Sequence, residues 1–177
     1  MNSIRNREEI QQALGNAFDE VIDFIRGQDD ALFEKAKAEG KWTTGQQLKH
    51  LIKSVRPINK GLGLPKIVLR LRFGFNDHQE RNYDGLVASY HKALEEGGKA
   101  SEAYIPRPVS VNGKLSLLSM YEQERNKLIK LLNKWDEKKL SSIVAPHPLL
   151  SKLTIRELMF FTIYHNYHHL EQIKEIR

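Results

Sequence analysis

No cysteine occurs anywhere in the 177-residue chain. That absence excludes a disulfide framework, a thiolate nucleophile, an iron–sulfur cluster and every Cys-based zinc finger, so any bound metal must rest on His, Asp or Glu. Long apolar runs are absent too. None reaches the roughly 18 residues of a membrane span, and the opening MNSIRNREEIQQ is charged where a signal peptide is apolar. A cytoplasmic protein with no membrane span is the expectation. Dense charge of one sign is also scarce, since 28 basic and 22 acidic residues leave a net +6 spread along the chain. No stripe combines basic and aromatic residues over enough length to mark a nucleic-acid groove. The loose set Arg56, Lys60, Lys66, Arg70, Arg72 and Arg81 reads first as a solvated face, with nucleic-acid binding a distant third reading. Internal repeats and low-complexity tracts are missing, and the length suits a single domain, residues 1–177, with a core that needs no staples.

What is present is helical periodicity. From about Ser3 to Gly27, apolar Ile10, Leu14, Phe18, Val21 and Ile25 recur at three- and four-residue steps, with Gly27 placed as a C-terminal stop. A second helix starts at the Thr43-Thr44 cap and runs through Leu48, Leu51, Ile52 and Val55 to a break expected before Pro57. Residues 61–113 are punctuated by glycine and proline. Within them Tyr83 to Glu96 has the pattern of a short helix, and Ile67 to Phe75 alternates apolar and basic residues in a way that fits helix or strand. The latter stretch is amphipathic and suits a packed lid, a dimer contact or a membrane surface. A third long helix is marked between Lys114 and Trp135 by Leu117, Leu118, Tyr121, Leu128, Leu131 and Leu132. After a linker through Val144 to Pro148, Thr154 with Glu157 forms a capping-box pattern that opens the last helix. The pattern predicts an all-α, up-down four-helix bundle with a long crossover between the second and third long helices.

The last helix carries His165, His168 and His169 within two turns. Residues four apart project from one face with Cβ atoms roughly 5–6 Å apart, from which two imidazoles can reach one divalent ion. At about 100° per residue, Leu158, Phe161, His169 and Gln172 fall within about 40° of His165, and His168 lies about 60° to the other side. An imidazole on such an apolar stripe costs a few kcal/mol unless a hydrogen bond or a metal satisfies it. A hydrogen-bonded core pair and a metal pair both fit, and His168 can replace either partner on spacing. The intervening residues lack the Glu of HExxH, which excludes the zinc-protease reading. His50 lies at or beyond the edge of its helix's apolar face and reads as surface. His78, His91 and His147, the last between two prolines, read as loop or surface residues.

Three segments resemble the DinB-like (DinB/YfiT) superfamily of metal-dependent enzymes. Trp42-Thr43-Thr44-Gly45-Gln46-Gln47-Leu48-Lys49-His50-Leu51 is similar to its W-S-x-x-x-x-L-x-H-L stretch, and His165, His169, Gln172 and Ile173 fit H-x-x-x-H-x-x-Q-I. The segment HPLLSKLTIREL, residues 147–158, is similar to h-P-x-x-G-x-L-T-x-x-E-x. Ser151 stands where glycine is usual, and Glu171 stands where many members have glycine. The resemblance implies an up-down bundle, often dimeric, in which His50, His165 and His169 gather around a divalent metal with His168 as a bystander.

Three neutral imidazoles with open positions suit zinc or nickel. Such a metal keeps its full charge and draws the pKa of a bound water or thiol toward neutrality. Characterised members that this chain resembles include transferases and isomerases that use a low-molecular-weight thiol, which a chain without cysteine would have to import. The leading expectation is therefore a metal-dependent thiol transferase or hydrolase acting on a small molecule, as a homodimer. The alternative is a metal-binding or stress-response module without turnover. Gln47, one turn before His50, and Gln172, one turn past His169, are candidates to orient a ligand or a bound water. The crossover is the expected source of the substrate pocket.

Overall fold

The structure, a computed structural model, describes residues 4–99 and 101–177. Helix α1 spans Arg7–Gly27 and is opened by Asn6, whose side chain accepts from the Glu9 amide while Glu9 returns a bond to the Asn6 amide. Ser3, where periodicity begins, lies outside the described residues. Ile10, Leu14, Phe18, Val21 and Ile25 are all buried, as their spacing requires. A short α2, Asp30–Phe33, then delivers Phe33 to the core. Helix α3, Thr44–Leu62, begins with a capping box between Thr43 and Gln46. Gly45 is required there, because a Cβ at this position would stand 2.8 Å from the Phe33 ring.

Contrary to the sequence expectation, α3 does not stop at Pro57 but continues to Leu62. Proline in a helix interior costs about 3 kcal/mol. Here packing on both sides outweighs that cost. Val55, Asn59 and Leu62 are buried, and Asn59 Nδ2 donates to the Glu124 carbonyl at 2.9 Å and to its carboxylate at 2.8 Å.

The crossover resolves into α4 (Lys66–Phe73), α5 (Tyr83–Glu95) and two 3-10 turns, Glu102–Tyr104 and Val111–Gly113. The stretch that fitted helix or strand is thus helical, with Leu69 buried and Leu71 exposed. Helix α6, Lys114–Leu132, ends three residues before Trp135, which is fully buried in the following turn. After α7 (Glu137–Ser142), the segment expected to be a linker forms an antiparallel hairpin of β1 (Val144–His147) and β2 (Ser151–Thr154). Helix α8, Ile155–Lys174, follows directly from Thr154.

The four long helices α1, α3, α6 and α8 make an all-α four-helix bundle. Helix α3 packs on α6 and α8, α1 packs on the same two, and α5 lies against α8. Glu157 ties the crossover to the start of α8. Its fully buried carboxylate closes the capping box by accepting from the Thr154 amide at 2.9 Å. It also accepts from the Arg81 amide at 3.0 Å, Arg81 Nε at 2.7 Å and His78 Nε2 at 3.1 Å. Burial pushes this carboxyl up, but the bonds from Arg81, Thr154 and His78 outweigh burial and hold it below the usual range.

Candidate metal centre

His165 and His169 sit one turn apart on the inner face of α8, and His50 meets them from α3. All three are buried. His165 Nε2 lies 3.2 Å from His50 Nε2 and 3.0 Å from His169 Nε2, and the three ligand atoms all lie within 4.8 Å of one another. The surface reading of His50 is therefore corrected. A helical wheel weighs only the bundle-facing side, whereas the far side of this residue is covered by Trp42 and the crossover. The Trp42 ring lies 4.9 Å from the His50 ring and 6.2 Å from that of His169, between centroids.

Hydrogen bonds fix the ring tautomers. His50 Nδ1 donates to the Tyr104 carbonyl at 2.9 Å, and His169 Nδ1 donates to Gln47 Oε1. Both rings thereby turn a bare Nε2 lone pair toward the common point. Gln47 is itself aligned by donating from Nε2 to Gln172 Oε1 at 3.0 Å, and Gln172 Nε2 donates onward to His168 Nε2 at 2.8 Å. The two glutamines thus form one chain behind His169, and His168 terminates that chain outside the cluster. Trp42, Tyr104 and Phe161 complete the setting, with Phe161 stacked on His165 at 4.8 Å.

Burial and mutual repulsion push the His165 and His169 pKa values well below the ordinary imidazole value, and burial lowers that of His50. All three rings are therefore neutral near pH 7, the state a metal requires. Three Nε2 atoms converge, yet at most one proton, that of His165, can sit among them. At least one buried lone pair is then left facing another, a loss of about 1–3 kcal/mol. A divalent cation satisfies all three at once, so the donor set fits a metal.

The cluster opens on a cavity of about 690 Å³. Its lining is largely apolar and draws on the crossover through Leu69, Phe73, Tyr90, Leu94 and Tyr104. Lys60, Arg72 and Lys99 are its charged lining residues. His147 lines it as well, although its place between prolines reads as surface. The ring is buried at the end of β1, 4.2 Å from the Phe161 ring, and burial takes its pKa down to about 4. The signal that could have found it is the His-Pro pair opening a turn just before the Thr154 cap. Of the loose basic set, Arg56 pairs with Glu124 at 2.9 Å and Arg81 with Glu157 at 2.7 Å. Lys66 and Arg70 lie over the rings of Trp135 and Phe75.

Helical bundle and buried three-His cluster together define the class. A family model for the DinB superfamily matches residues 5–173, and the chain belongs to that superfamily. Among solved structures, it is similar to TT2238, a four-helix bundle protein, with a TM-score of 0.60 and 18% identity over 95% of this chain and 98% of that one. It is also similar to YfiT from Bacillus subtilis, described as a probable metal-dependent hydrolase with an unusual four-helix bundle topology. That likeness has a TM-score of 0.60 and 17% identity, covering 99% of this chain and 89% of the other. At these identities the likeness is one of fold. No match is found among curated proteins.

Proposed function

We propose that this chain is a divalent-metal-dependent enzyme of hydrolysis or thiol transfer, with His50, His165 and His169 as metal ligands. The observation that carries this reading is the convergence of three Nε2 atoms, two of them deprived of their protons by outward Nδ1 hydrogen bonds. YfiT, similar in fold, is described as a probable metal-dependent hydrolase, which favours the hydrolytic form. When bound, zinc or nickel would supply Lewis acidity to a water or an imported low-molecular-weight thiol.

The protein's own residues have three tasks in this reading. Tyr104 and Gln47 hold two imidazoles in the ligating tautomer, and Gln172 keeps Gln47 from rotating. The apolar walls exclude water from around a small organic substrate, which strengthens every polar interaction at the floor. Phe161 and Trp42 confine the imidazoles between rings. A homodimer and a cytoplasmic setting belong to the same reading, the first checked by sedimentation and the second by fractionation.

Elemental analysis of the purified protein beside His50→Ala and His165→Ala tests the ligand set. Near-stoichiometric metal in the parent and loss in both variants is expected. Full occupancy in either variant would sink the triad. Generic ester hydrolysis and conjugation of a simple thiol to an electrophile then separate the two reaction types, and metal without any turnover favours a binding module.

A further inference from the structure

His147 holds its proton where a ligand can meet it. Its Nδ1 accepts from the main-chain amides of Leu149, at 3.2 Å, and Leu150, at 3.1 Å, closing the hairpin turn. A nitrogen that accepts two N–H bonds carries no hydrogen of its own, so the neutral ring carries its hydrogen on Nε2. Among the described residues nothing accepts from Nε2, since both bonds of this ring are made at Nδ1. The ring lines the cavity that also reaches His50, His165 and His169. Phe161 lies between, 4.2 Å from the His147 ring and 4.8 Å from that of His165.

We propose that His147 Nε2–H is a hydrogen-bond donor to a carbonyl oxygen of the substrate, and that the cavity takes an apolar molecule carrying one such carbonyl. It rests on the reading of the three-His cluster as the reacting centre. A single neutral donor matches a single carbonyl oxygen. A phosphoryl dianion calls for several cationic donors, and the cations lining this cavity, Lys60, Arg72 and Lys99, are on exposed residues. The apolar lining, with Leu62, Leu69, Leu94, Leu149 and Leu158, matches the hydrocarbon body. The turn fixes the donor before any ligand arrives, so no rearrangement accompanies binding.

His147→Asn is the informative variant. An Asn Oδ1 accepts from amides two and three residues on and so keeps the turn, while the Nε2 donor is gone and the Asn Nδ2 amide, one bond nearer the backbone, stops short of its position. The probes are 4-phenyl-2-butanone and butylbenzene, the same body with and without the oxygen, titrated into zinc-loaded and chelator-treated protein by NMR. The parent should prefer the ketone by about two- to tenfold, the range of one net hydrogen bond. His147→Asn should lose that preference and keep its butylbenzene affinity. Because His147 supplies the bond, the preference should survive chelation, which separates this test from failure of the metal reading. Equal ketone preference in parent and variant overturns the proposal, as does binding of neither probe by the parent. Long-range nitrogen–proton spectra of the parent need no variant: an Nε2–H tautomer at His147 supports the assignment and an Nδ1–H tautomer overturns it.

Discussion

Acidification should weaken this fold in a way that one side chain makes measurable. Burial holds the His147 pKa at about 4, against an ordinary imidazole value of about 6.5. Its Nδ1 is also the acceptor of two turn-closing bonds, which a proton there would break. As pH falls, the unfolded chain therefore takes up the proton first. Stability is intact above about pH 6.5, drains as pH drops below that value, and levels off near pH 4. At about 1.4 kcal/mol per pKa unit, His147 alone should remove roughly 2 kcal/mol between pH 7 and pH 5, about a thirtyfold change in the folding equilibrium. His50, His165 and His169 are shifted in the same direction, so the parent loses more than this one share. Urea unfolding with a chelator present, at half-unit steps from pH 7 to pH 5, isolates it by comparison with His147→Asn. The variant's curve should be flatter by roughly 2 kcal/mol over that range. Parallel curves for parent and variant would refute the assignment.

Ser151 adopts φ of 60° at the end of the hairpin turn, the left-handed region that favours glycine. Ser151→Gly relieves a strain of about 1–2 kcal/mol and returns part of it as unfolded-chain entropy, so a net gain of about 0.5–1 kcal/mol and a Tm rise of about 1–4 °C are expected. An unchanged or lower Tm in calorimetry would contradict this. Gln47→Leu removes the acceptor of His169 Nδ1–H and should weaken metal binding about 10- to 100-fold with little loss of fold, read by competition with a chromogenic chelator.

The parts of this molecule legible in its sequence are those with a local period. Ile10 to Ile25 of α1 and the Thr154–Glu157 box of α8 show both their structure and their orientation in a few consecutive residues. His165 and His169 share that legibility because one helix face carries both. His50 does not, because its cover comes from Trp42 and from a turn 54 residues away. Pro57 misleads for a similar reason, since the local rule for proline competes with packing across α6 that no window around it contains. The hairpin at His147 is hidden by its shortness, four residues a strand with Pro146 in one of them. The glycines and prolines of the crossover mark the joints between short helices whose positions are set by what they cover.

The bond from His50 to residue 104 has an evolutionary side. Its acceptor is a main-chain carbonyl, which every amino acid provides. Substitution at position 104 can therefore change the cavity wall while the hold on His50 persists. A lineage can rewrite the crossover, and with it the molecules admitted, without renegotiating how the floor of the site is kept in order.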